Sequence, residues 1–162
     1  MTNSTLSFHG IDHLKLPAKD IRKTLEFYTT VFPFTPCPEW DHRTPEGDLF
    51  AVMFKYEPTG LIVEVRKNEK QAEAQQGWDP ITWSVESRAD LDEWKAKFEK
   101  EGINHSKVFT GLKGWVLCAN DPDGKLVRLY TKEEHEWSTN FDKGKTFISA
   151  ILTHKIDPYW LP

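Results

Sequence analysis

No apolar stretch in this sequence approaches the ~20 residues that a membrane-spanning helix needs. Basic runs are missing too. The formal charge of −4 is spread along the chain, which argues against a nucleic-acid-binding face. The opening MTNSTLSFHG has neither the charged nor the apolar region of a secretory leader, so the expected compartment is the cytoplasm. Cysteine is scarce. Cys37 and Cys118 have no CxxC spacing, and free thiols in a reducing compartment are expected ahead of a metal or catalytic thiol. No Ser-His-Asp or Cys-His arrangement is identifiable, and GLKG at 111–114 is a hairpin turn, too short for a phosphate loop. Aromatic residues, by contrast, are plentiful, with seven Trp, ten Phe and four Tyr. Most belong in a core, and some are free to line a pocket for a flat ligand. With 162 residues, 38% of them apolar and 28% charged, the chain fits a single globular domain.

Read in order, residues 11–18 (IDHLKLPA) alternate as a strand does, and residues 20–32 then change to a helical period. Ile21, Leu25, Tyr28 and Phe32 fall on one side, and Asp20 is placed to cap the first turn. Residues 33–48 carry four prolines and a glycine, which allow one irregular edge strand and a loop at most. Strands follow at 49–56 and 61–67, joined by the turn EPTG. The polar stretch 68–79 reads as a linker. The order then repeats: a strand at 81–87, a helix at 88–102 capped by Ser87 or Asp90 and stopped by Gly102, and strands at 103–109, 114–120 and 125–131. A βαβββ unit is thus written twice, at a period of roughly 70 residues, which suggests two similar half-units sharing one fold. Residues 147–156 (FISAILTHKI), in a terminal extension, read as one more possible strand.

One strand is unusual. In DPDGKLVRLYTK, residues 121–132, a tight turn leads into LVRLY, where Leu126, Arg128 and Tyr130 share a face. An arginine in the middle of a short apolar strand belongs either at a sheet edge or in a site.

The repeated βαβββ with DPDG before its last strand resembles the vicinal oxygen chelate superfamily of glyoxalase I, extradiol dioxygenases, fosfomycin-resistance enzymes and bleomycin-binding proteins. The matching stretches are IDHLKLPAKDIRKTLEFYTTVF, LIVEV, ITWSVESRADLDEWKAKFEKEG and DPDGKLVRL. The resemblance implies an α+β fold of two βαβββ modules curled around a central cup. It sets module one at 9–67, the linker at 68–79, module two at 80–132 and the extension at 133–162, within a single domain that forms a homodimer. The metal enzymes of the family carry ligands at four points, on the first and last strand of each module. Here those points are His13, Glu64, Pro80 and Arg128. His13 and Glu64 suit a divalent metal, whereas proline offers no donor and arginine repels a cation. The expected cofactor is therefore none, or a divalent metal held by His13 and Glu64 with help from His105, Cys118 or His154.

Alternation adds Lys15 to the face of His13, and Arg66 to the face of Glu64. Two readings of this mixed cluster stay open. Glu64 and Arg128 form an internal salt bridge, or Arg128, Arg66 and Lys15 take an acidic group of a ligand while His13, oriented by Glu64, moves a proton. Trp83 and Tyr130 are candidate aromatic walls. The expected function is a small-molecule enzyme with lyase-, isomerase- or cyclase-like proton transfer, or divergent metal chemistry, on an aromatic or acidic substrate. The alternative is a metal-free binding or sequestering protein. Trp40, His42 and Arg43 sit in a loop that is either a lid or plain surface.

Overall fold

The computed structural model describes residues 9–136, which divide into two compact units between Glu69 and Lys70. The fold is mixed α+β, with one open mixed sheet per unit.

In the first unit, β1 (His13–Ala18) leads into α1 (Ile21–Val31). The Asp20 carboxylate accepts the backbone N–H groups of Arg22 and Lys23, as an N-cap should. The helix stops at Phe32, which is extended because Pro33 follows it. Two short strands come next, β2 (Thr35–Pro36) and β3 (His42–Arg43), separated by one 3-10 turn at Pro38–Trp40. The long strands β4 (Leu49–Tyr56) and β5 (Leu61–Lys67) form a hairpin. The sheet order is β1-β5-β4-β2, with β3 also on β4 and β1 running parallel to β5. Pro17 is tolerated inside β1 because that strand is at the sheet's edge. One sheet face is covered by α1. There the Tyr28 ring stacks on Phe54 at 5.3 Å, and Phe34 meets Phe54 edge-on at 4.8 Å. Leu16, Val52, Phe54, Val63 and Val65 are buried on that side, each contributing about 1.5–3 kcal/mol by leaving water.

The helix α2 (Glu69–Ala74) starts at the last residue of the first unit, and the second unit continues through β6 (Thr82–Val85), α3 (Arg88–Glu101), β7 (Phe109–Thr110), β8 (Gly114–Asn120) and β9 (Leu126–Glu134). Sheet order is β6-β9-β8-β7, with β6 parallel to β9. Ser87 and Asp90 cap α3 reciprocally, and Gly102 ends it in the left-handed region at φ 66°. The two sheets repeat one pattern, and the registers line up. Lys15 stands opposite Glu64 in the first unit, and Thr82 stands opposite Arg128 in the second. His13 and Pro80 each lie two residues before these.

Three expectations need correction. The stretch 68–79 is no bare linker, since Glu69–Ala74 is helical and Ala72 is fully buried. The strand expected at 103–109 shrinks to Phe109–Thr110 plus one bridge between His105 and Ala119. Ser106 explains this, because its Oγ accepts the Cys118 N–H at 3.0 Å and its own N–H reaches the Cys118 carbonyl, replacing a regular ladder. The helix face in α1 buries Ile21, Thr24, Tyr28 and Val31, and Leu25 is only half-buried. The strand expected in the extension, and His154, lie outside the described residues.

Candidate functional site

The face of the first sheet opposite α1 carries charge. Register places His13 and Lys15 of β1 beside Ile62, Glu64 and Arg66 of β5, and Ala51 and Met53 of β4 beyond them. Glu64 is at the centre and only 1% exposed. A buried carboxylate has to be compensated. Arg66 Nε donates to Glu64 Oε1 at 2.6 Å, while Lys15 Nζ and His13 Nε2 each lie 3.5 Å from Oε2. Lys15 and Arg66 keep their heads at the surface, with side chains 54% and 43% exposed. The guanidinium of Arg66 also lies over the Phe50 ring, 5.6 Å from its centroid.

The imidazole of His13 is held between two carboxylates, with Nδ1 2.7 Å from Asp12 Oδ1 and Nε2 facing Glu64. Either neutral tautomer turns one lone pair toward a carboxylate, and only the doubly protonated ring donates on both sides. His13 thus sits between the exposed Asp12 and the buried Glu64.

In the second unit, the arginine that stood out in the sequence is only 17% exposed and has a partner of its own. Arg128 Nε lies 2.6 Å from Oδ2 of Asp79, just ahead of β6. Within its own unit Glu64 pairs with Arg66, and Arg128 pairs with Asp79 within the other. Arg66 reaches Glu64 because it is two residues along the same strand face. Tyr130 shares the face of Arg128, and its hydroxyl accepts the N–H groups of Lys113 and Gly114 at 2.8 and 3.0 Å. Its ring packs with Phe109, Val116 and Cys118 and lies so near Gly111 that a Cβ there would meet it at 2.7 Å. Trp83 stands opposite Leu129, on the sheet face away from Arg128 and Tyr130.

The remaining candidates are accounted for in other ways. Both cysteines are buried and neither forms a disulfide, and the Cys37 thiol is pushed up by burial and then by Glu39, which makes it a poor nucleophile. His105 Nδ1 lies 2.7 Å from the Ser106 carbonyl. A groove in the second unit is lined by Glu86, Asp90, Glu93, Trp94 and Lys97, none of them anticipated as site residues, and Asp90 there is committed to capping α3. Sequence reasoning missed Asp79, which lay in the supposed linker, and Phe50.

The family's metal does not fit this donor set. Glu64 already pairs with two cations, Lys15 and Arg66, Pro80 has no donor, and Arg128 brings a positive charge. Among the described residues no three His, Cys, Asp or Glu side chains gather as metal ligands would.

Paired βαβββ units with open mixed sheets, each beginning with a strand parallel to its last, define the glyoxalase-like class of α+β proteins. The chain belongs to the Glyoxalase/Bleomycin resistance protein/Dioxygenase superfamily, whose family model matches residues 10–129. A lactoylglutathione lyase from Agrobacterium tumefaciens is similar in structure, with a TM-score of 0.59, 20% identity, and 76% of this chain and 94% of that chain covered. A variant of the fosfomycin resistance protein FosX from Listeria monocytogenes, solved with Mn(II) and 1S,2S-dihydroxypropylphosphonic acid, gives a TM-score of 0.59 at 17% identity, covering 76% and 90%. TnmS3, an antibiotic binding protein from Streptomyces sp. CB03234, gives 0.61 at 14% identity, covering 78% and 98%. At these identities the likeness is one of fold. A search of curated proteins found no match.

Proposed function

We propose that this protein binds an acidic small organic molecule at the His13–Lys15–Glu64–Arg66 face and moves a proton on it through His13, in a lyase- or isomerase-type reaction. The observation that carries this reading is the buried Glu64, which holds two half-exposed cationic heads in place. Arg66 spends its Nε on Glu64, and its two Nη groups have no partner among the described residues. They present the planar fork that recognises a carboxylate or phosphonate. Lys15 adds a second charge beside it. Glu64 is a positioning residue, since its buried carboxylate anchors Arg66 and compensates an imidazolium at His13. His13 is the candidate catalytic residue, because its imidazole can both accept and donate a proton in general acid–base chemistry.

One observation favours the second reading, a binding or sequestering protein. His13 Nε2 is turned inward to Glu64 and is itself buried. The two readings separate in one experiment. A panel of organic acids and their neutral amides is titrated by calorimetry, and each acid that binds is then incubated with the protein in heavy water. Proton transfer predicts deuterium uptake at a carbon next to the acid group, lost in His13→Ala while binding is kept. Binding without exchange leaves the sequestering reading. Equal affinity for acid and amide would remove the anion site from both.

A further inference from the structure

The charged face continues onto β4, where the strand is irregular. His42 of β3 pairs with Ala51 and Arg43 pairs with Leu49, so Phe50 is an extra residue opposite nobody. In a regular strand Phe50 would alternate with Ala51 and join Val52 and Phe54 against α1. A bulge re-aims a side chain, and bulges recur next to binding sites for that reason. Here the bulge delivers the Phe50 ring to the other side. Its centroid lies 5.6 Å from the Arg66 guanidinium carbon, which shares a face with Ala51, and 5.7 Å from the centre of the His42 ring. Phe50 and His42 are both half-buried, so each keeps open surface beside the free end of Arg66.

We propose that Phe50 and His42 form an aromatic wall that makes this anion site selective for flat aromatic acids. The proposal rests on the acid-binding reading above and narrows it. Arg66 takes the acid group through its Nη pair, and the ligand's ring lies against Phe50, whose face Arg66 already borders. An aliphatic acid would meet the same charges without the ring contact. Phe50 and His42 set specificity and take no part in proton transfer.

The probes are 2-naphthoate and its fully saturated counterpart, which share charge and carbon skeleton and differ in flatness. The native protein is expected to prefer 2-naphthoate. In Phe50→Leu its affinity should fall about two- to tenfold, the range for one aromatic pair, with the saturated acid nearly unchanged. Phe50→Tyr should restore the preference. His42→Leu should give a smaller loss of the same kind and serves as the second variant if Phe50→Leu does not fold. Parallel losses for both acids, or none for either, would overturn the wall while leaving the anion site intact. If neither acid binds the native protein, the acid-binding reading and the wall fall together.

Discussion

Glu64 shows how one buried charge organises a surface. Its carboxylate is out of water, but its partners Lys15 and Arg66 are half in it. Removing the carboxylate therefore strands no buried cation, and the exposed heads are free to turn outward. For Glu64→Gln we expect a loss of about 1–3 kcal/mol, the range for a charge-assisted hydrogen bond rather than for a fully buried ion pair. Urea denaturation of the variant measures it, and a loss well above that range would mean that Lys15 and Arg66 are held far more rigidly than their exposure indicates. The same residues decide the metal question. Purified without chelators, the protein is expected to carry divalent metal well below one equivalent, because Glu64 is already neutralised and Pro80 and Arg128 supply no ligand. One tightly held equivalent by elemental analysis would reverse this. At the residue scale, part of the site was legible and part was not. Period-2 alternation found Lys15 and Arg66, and family resemblance found His13 and Glu64. Phe50 escaped because a bulge inverts alternation at one position, and no local composition announces it. The Asp79 partner of Arg128 escaped because it belongs to no regular element.

At the scale of elements, caps and turns were the most legible. Asp20, Ser87 and Gly102 all act where residue type and period placed them. The helix α2 was missed because KNEKQAEAQQ has no apolar period. It forms on the helix propensity of Glu, Lys, Gln and Ala, with Ala72 alone buried. The DPDGK turn holds more than its glycine. Asp121 Oδ1 accepts the N–H groups of Asp123 and Lys125, and the Lys125 ammonium, 1% exposed, lies 2.9 Å from Asp121 Oδ2 and 3.3 Å from Asp123 Oδ2. Burial raises the Asp121 carboxyl above its ordinary value of 3.8, and Lys125 opposes that rise. Lys125→Met removes the opposition, so the rise grows. A carboxyl whose folded pKa is raised binds its proton more tightly when folded. Its contribution to stability is present at low pH and is lost as pH climbs from 3.8 through the folded value. Lys125→Met is therefore expected to cost about 3–5 kcal/mol near neutrality, as when one partner of a buried pair is removed. The deficit should shrink as pH is lowered toward 3.8. Denaturation of both proteins across that range checks the sign, and a deficit independent of pH would show that Asp121 stays ionised without its lysine.

At the scale of the whole molecule, the question is what covers the sheet edges. Among the described residues, β1 has a strand partner on one side only, and so does β6. Thr82 and Ser84 of β6 are exposed. Strand edges left open invite pairing with other chains, and proteins blunt or cover them. Pro17 blunts β1 at one position by removing a donor. Residues 82–85 of β6 contain no proline or glycine, and only their shortness limits them. A symmetric dimer is the common solution, since one self-complementary patch covers the same edge twice. We expect the 18.8 kDa chain to sediment at micromolar concentration as a species of about twice that mass. The β6 edge gives the sharper test. Thr82→Pro removes a backbone donor from β6, at an exposed position whose side chain shares its face with Arg128. If a second copy covers β6, this variant should sediment as the monomer with its far-ultraviolet spectrum retained. A native protein that stays at 18.8 kDa would defeat the dimer outright, and a dimeric Thr82→Pro would move the interface away from β6.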